Sequence, residues 1–236
     1  MDMRCIGIIT LVAQVSVLGG VLVRRRSHRA LSLLVYLAAA TVLQGLRLSW
    51  RELALRWDYW AVKELLLRAL MAVVALEIGA RVFATLGRAR RCAAAMWAAV
   101  CVGTAVTVWE APGVAVGEAM SWPQVLVVEV LPRIAVGAAF LSLSVLAVTA
   151  WYRVPLDPLH RVLLFGVAAF TVCYAGPIGS ADGYEIGRFV MYHVTPLVYV
   201  AILVTWAWAA WRDEPKPDVA LETLERMQPW RRVGRS

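Results

Sequence analysis

Seven long apolar runs alternate with short polar connections along the chain, at about 5–23, 30–48, 60–86, 92–109, 124–151, 161–178 and 189–211. Each reaches the ~17 residues a helix needs to cross about 30 Å of hydrocarbon at ~1.5 Å per residue. A helix satisfies every backbone group within its own segment, so the pattern predicts an all-α membrane protein, a bundle of seven transmembrane helices. The third and fifth runs are longer than a crossing requires and are expected to tilt, kink or project.

The polar connections orient the bundle. Arg24, Arg25, Arg26 and Arg29, then Arg88, Arg90 and Arg91, then Arg153 and Arg161, and six cations of the tail all fall on one side, fifteen in number. The other side carries five: Arg4, Arg47, Arg51, Arg56 and Arg188. The richer side is expected in the cytoplasm, which puts the N-terminus outside and the C-terminus inside. Tryptophans agree: Trp50, Trp57, Trp60, Trp109 and Trp122 fall at outer ends, Trp151, Trp206, Trp208 and Trp211 at inner ends. Amphipathic rings favour the headgroup level.

Composition sharpens this. Of the residues, 61% are hydrophobic and 17% charged, against about half and a quarter in a soluble domain. The net charge of +8 would suit nucleic acid, but its clustering between apolar runs suits membrane orientation, and no nucleic-acid partner is expected. The Arg-, Ala- and Val-rich usage suggests a bacterial source and the inner membrane. Cys5, Cys92, Cys101 and Cys173 are scattered singly, which reads as small apolar residues; a Cys5–Cys173 disulfide is compatible with the topology but nothing supports it. The first run carries its basic cluster after it and reads as a span, not a cleavable signal. Residues 1–211 thus form the membrane domain. Residues 212–236 form a short basic tail with Leu221, Leu224 and Met227 on one face, suited to lie against anionic lipid.

Charge inside a span costs several kcal/mol unless paired or hydrated, so intramembrane ionisable residues point to function. Three Glu-x-x-x-Arg pairs occur: Glu64–Arg68 and Glu77–Arg81 in the third span and Glu129–Arg133 in the fifth. This i,i+4 order favours a salt bridge along one helix, so each pair could serve insertion alone. By rise per residue, Glu64, Arg68, Glu129 and Arg133 fall in the outer part of their helices. Tyr192 and His193, Gln44 and Tyr174 are at similar depth. Together they define a candidate ligand site, a polar pocket open to the outside. Glu77 is 13 residues from Glu64, about 220° around the helix, so the third span is polar on two faces and suits a central position. Pro132 and Pro196 are expected to kink the fifth and seventh helices.

Several activities are excluded. The last span has no lysine for a retinal Schiff base, and a single span histidine does not make a b-type haem site. No cofactor, metal site or catalytic residue is expected, and an enzyme is disfavoured. Lys63-Glu64-Leu65-Leu66-Leu67-Arg68 and Phe189-Val190-Met191-Tyr192-His193 resemble parts of the motifs of the prenyl-protein endopeptidase family, but Lys63 replaces the first Glu and the second intramembrane His is missing. The third span, Asp58-Tyr59-Trp60 through Glu64, Arg68, Glu77 and Arg81, resembles uncharacterised bacterial seven-span membrane proteins, which implies the same fold and no particular activity. The expectation is a non-enzymatic inner-membrane protein: a sensor-like module with an outward polar pocket, or a subunit of a membrane complex, with a membrane or cytoplasmic protein partner. The alternative is a small-solute transporter, for which no repeat between halves is found.

Overall fold

The computed structural model describes residues 3–24, 30–50, 52, 56–85, 90–110, 121–126, 130–152, 154, 156, 158–175 and 193–212. The described chain is all-helical: α1 (Met3–Val23), α2 (Leu31–Ser49), α3 (Trp57–Thr85), α4 (Arg90–Glu110), the single turn α5 (Trp122–Val125), α6 (Leu131–Trp151), α7 (Pro158–Ala175) and α8 (Thr195–Trp211). Cys5–Val23, Leu31–Ser49, Ala93–Glu110 and Leu131–Trp151 are long and apolar enough to cross a membrane; Pro158–Cys173 and Thr195–Trp211 are shorter apolar helices. The 29-residue α3 carries six charged side chains. The tail beyond Arg212 lies outside the described residues.

Six helices close into a ring. α1 packs on α2, α2 on α3, α3 on α6, α6 on α7, α7 on α8, and α8 returns to α1. α3 also touches α4, α5 and α7, and α4 sits outside the ring against α3 and α6. Close approach comes from small residues, as suits helices that gain little from hydrophobic association in lipid. A Cβ on Gly20 of α1 would lie 2.9 Å from Ala210 Cβ of α8, and one on Gly166 of α7 would strike the Trp206 indole.

Side-chain bonds fix which ends lie together. At one end, here the lower, Arg24 donates to the Trp211 carbonyl (3.1 Å), Trp206 Nε1 to the Val162 carbonyl (3.2 Å), and the Ser32 amide to the Glu77 carboxylate (3.0 Å). At the opposite, upper end Gln44 Nε2 donates to the Gly7 carbonyl (3.2 Å), the Tyr59 hydroxyl to the Leu43 carbonyl (2.5 Å), and Arg133 to the Trp109 carbonyl (3.4 Å). Successive long helices therefore alternate in direction.

The outside of the ring is aliphatic. Ile8, Val12 and Val15 on α1, Val35 and Val42 on α2, and Val102 and Val106 on α4 are all exposed, at helical spacing. Such surfaces are rare on soluble monomers and natural against lipid. Exposed tryptophans mark both rims: Trp50, Trp109 and Trp122 above, Trp151, Trp208 and Trp211 below. Trp206 departs from the expected belt. It is 1% exposed in the core, edge-on to Tyr36 with ring centroids 6.4 Å apart. Pro132 and Pro196 stand where the helices were expected to bend or open. Each sits in the first turn of an α-helix that directly follows π-helical residues, Val130 before Pro132 and His193 and Val194 before Pro196, so the regular α-helical bonding is interrupted beside each proline. Cys5, Cys101 and Cys173 are free thiols.

Candidate functional site

The core of the ring changes character along its axis. In the lower half it is mainly apolar: Val17 and Val21 of α1, Leu33 and Leu37 of α2, Val74 and Ile78 of α3 are buried together with Leu163 and Val167 of α7 and Leu203 and Trp206 of α8, with His160 of α7 buried at its lower end. In the upper half the same helices turn polar groups inward. α1 contributes Thr10 and Gln14, α2 Gln44, α3 Lys63 and Arg68, α7 Thr171 and α8 Thr195, all buried. The Thr10 and Thr171 hydroxyls bond back to their own helices, at 2.8 Å to the Ile6 and Val167 carbonyls. Gln14, Gln44, Lys63 and Arg68 act between side chains or helices.

Glu64 is the hub of the charged part. Its Oε1 accepts Lys63 Nζ at 3.0 Å and its Oε2 accepts Arg68 at 3.2 Å. Each cation also rests on an aromatic ring: Lys63 Nζ lies 4.1 Å from the Trp60 centroid and Arg68 Cζ lies 4.6 Å from that of Phe170. Arg47 of α2 shares the Trp60 ring at 5.2 Å. Stacking of this kind is stronger where water is excluded, and Arg68 is only 7% exposed.

Below this trio, three helices meet through neutral groups. Gln14 Nε2 of α1 donates to the Tyr199 hydroxyl of α8 (3.1 Å), which lies 2.9 Å from the Tyr36 hydroxyl of α2. The Tyr199 ring packs on Phe170 with centroids 5.3 Å apart, so the neutral cluster and Arg68 share one aromatic wall.

A second polar cluster closes the lower end. The Glu77 carboxylate accepts Arg81 at 2.6 Å on one oxygen, and both the amide and the hydroxyl of Ser32 on the other. A carboxylate at the first turn of α2 satisfies a backbone donor that has no partner within its helix and complements the helix dipole. Glu77, Ser32 and His160 line a cavity of about 10 Å³, with Leu33, Val74 and Ile78.

Of the residues singled out from the sequence, Glu64 and Arg68 are brought together in the upper core, and Glu77 and Arg81 pair at the lower end. Gln44 faces α1, not Arg68. Arg133 is partly exposed and turns to the last turn of α4, where a cation complements the helix C-terminus. His193 is exposed just before α8. Glu129 and Tyr192 lie outside the described residues, as does the side chain of Tyr174. Gln14, Tyr36 and Tyr199 were missed. Their signal was faint: each is one of several uncharged polar groups scattered along a mostly apolar run.

An all-helical ring with lipid-compatible faces and four helices able to cross a bilayer has the features of an integral membrane protein. Compared with protein-family models, curated proteins and solved structures, the chain matches none.

Proposed function

We propose that the chain is a seven-span protein of the inner membrane, with the upper end outside and the lower end in the cytoplasm. In this reading the ring is a sensor-like module whose polar upper half takes a small ligand from outside. The supporting observation is the division of the core, polar on α1, α2, α3, α7 and α8 above and mainly apolar on the same helices below, down to the Ser32–Glu77–His160 cluster at the lower end. Ionisable groups at that depth are expensive, and five helices converging on one half exceed what insertion requires. The mainly apolar stretch below sets the site apart from the polar cluster at the lower end, as a sensor needs. Ligand would bias how α8 packs on α1 and α2, and the cytoplasmic loops would present the change to a protein partner. The orientation rests on fifteen cations against five.

A second reading, a subunit of a membrane complex, is favoured by α4. It lies outside the ring, and its face of Ala94, Ala95, Ala98, Ala99 and Val102 is exposed. Small residues spaced in this way let a neighbouring helix approach closely. Transport would require the apolar lower half to open.

Single cysteines in a cysteine-free background test these readings, probed in cells with a membrane-impermeant maleimide. Labelling of Thr10→Cys and Gln44→Cys, with Glu52→Cys as the outer control and Leu163→Cys unreactive, is the expected pattern. Reaction at Glu52→Cys alone would overturn the pocket and turn the search to partners of α4. Reaction at Leu163→Cys would favour transport.

A further inference from the structure

The upper cluster is unevenly charged. Lys63 and Arg68 share the single carboxylate of Glu64, one on each oxygen. Arg47 of α2 adds a further cation beside them: its guanidinium lies 5.2 Å from the centroid of the Trp60 ring, and Lys63 Nζ lies 4.1 Å from it. Arg47 makes no ion pair among the described residues. Two cations on one ring repel each other, and water screens that repulsion poorly in a membrane-embedded setting. An arginine in the last turn of a helix is free to extend into the headgroups. This one folds against α3 instead, next to the trio.

The cluster is open to solvent, and its direction is defined. Arg47 is partly exposed, and the side chains of Lys63 and Glu64 keep 10% and 19% of their surface accessible. Val62, Leu66 and Val73 form the exposed aliphatic stripe of α3. Lys63 and Arg68 lie off that stripe, and Arg68 packs on Phe170 of α7. The positive groups therefore sit at the upper mouth of the ring and not on its lipid-compatible side, which favours a solute over a lipid headgroup as the source of a counter-charge. Donors are available there. Glu64 takes one of the three protons of the Lys63 ammonium, and the planar fork of arginine matches the oxygens of a carboxylate or phosphate.

We propose that Arg47 and Lys63, gathered on Trp60, bind the oxyanion group, carboxylate or phosphate, of a small solute from outside. This rests on the sensor reading and specifies its ligand chemistry. Arg47 receives the oxyanion through its guanidinium and Lys63 supplies the second charge, while Glu64 keeps Lys63 and Arg68 in place. The bound anion thereby ties the upper end of α2 to α3.

The test uses the full chain in phosphatidylcholine nanodiscs, with sodium glycerol 3-phosphate, sodium succinate and inorganic phosphate as probes, and glycerol and choline chloride as counterparts at matched ionic strength. A ligand that binds the folded state raises the unfolding temperature in a saturable way. Such a rise is expected with at least one anion and with neither counterpart. The apparent affinity should fall about tenfold or more in Arg47→Gln, the loss of a charged hydrogen bond, and less in Arg47→Lys, which keeps the charge. Lys63→Gln should weaken binding too; Arg47 has no ion pair to lose, so its variants remain informative should Lys63→Gln not fold. Arg24→Gln, at the lower end, should bind as the parent does. No saturable rise with any of the three anions, or an unaltered affinity in Arg47→Gln, overturns the site. If only added phosphatidylglycerol stabilises the parent, and fails to stabilise Arg47→Gln, the oxyanion belongs to a lipid and the solute is overturned. Anion binding without maleimide labelling at Thr10→Cys supports the site and overturns the deeper outward pocket, whereas labelling without anion binding does the reverse.

Discussion

The Glu77 carboxylate of α3 caps the start of α2, accepting the Ser32 amide at 3.0 Å together with its hydroxyl, 45 residues away in sequence. Arg81 occupies the other carboxylate oxygen. An ionisable residue that looks functional from the sequence thereby acquires a structural role, joining two helices at their lower end. Removing Glu77 leaves the α2 backbone donor without its acceptor, whereas Ser32→Ala removes only the hydroxyl bond and keeps the amide donor in place. Glu77→Ala should lower stability by about 1–2 kcal/mol and Ser32→Ala by roughly 0.5–1 kcal/mol, the range for a lost cap or hydrogen bond. The double variant should cost clearly less than the sum, because the two residues share one interaction. Unfolding in mixed micelles measures all three; strict additivity would contradict a shared cap.

The upper trio behaves differently because one carboxylate serves two cations. Replacing Arg68 with Met leaves Glu64 paired with Lys63, and Met retains much of the packing against Phe170. Replacing Glu64 with Gln leaves both cations without that anion in a buried setting. Glu64→Gln is therefore expected to cost about 3–5 kcal/mol, and Arg68→Met no more than roughly half of that. The same unfolding assay ranks them, and the opposite order would mean that Arg68 is held mainly by something other than Glu64.

Run length made the helices legible. Five of the seven long helices start and end within about three residues of the apolar runs, and α6 and α8 start seven and six residues late, because crossing length and backbone satisfaction act on local sequence alone. Facing partners were not legible. Gln14 and Tyr199 are 185 residues apart, and only the closure of the ring through α1 and α8 brings them together. Trp206 misled for the same reason: a tryptophan near a helix end suits a headgroup belt, but Gly166 on α7 opens a space that the indole fills. The i,i+4 pairs within α3 could be read directly, since both members lie on one helix. Gln44 belongs to a contact between helices, and its bond to Gly7 depends on a packing that the α2 sequence does not encode.

That Gly166–Trp206 contact gives a packing prediction with an internal control. A Cβ at Gly166 would lie 2.8 Å from Ile202 Cγ2 as well as against the indole, whereas Gly45 of α2 has nothing within 4 Å. Gly166→Ala should destabilise by about 1–3 kcal/mol through overpacking. Gly45→Ala should stabilise by roughly 0.5–1 kcal/mol, because alanine loses less backbone freedom in a helix interior. Thermal midpoints in one detergent suffice, and a loss at Gly45 equal to that at Gly166 would rule out packing as the cause.

Arg24 has two roles that substitutions can separate. Its guanidinium donates to the Trp211 carbonyl at the end of α8, where a cation complements the helix dipole. It also belongs to the cluster Arg24, Arg25, Arg26 and Arg29 that sets the proposed orientation of α1 and α2. Arg24→Gln alone removes the contact but leaves three cations, so it should reduce stability by about 0.3–1 kcal/mol and leave topology intact. Neutralising Arg24, Arg25 and Arg26 together should divide the population, with an alkaline phosphatase fusion after Trp50 losing much of its periplasmic activity. Full fusion activity in the triple variant would place the orienting charge elsewhere and weaken the assignment of the lower end to the cytoplasm. The same loss in Arg24→Gln alone would mean that its bond to α8, and not its charge, holds the first two helices in place.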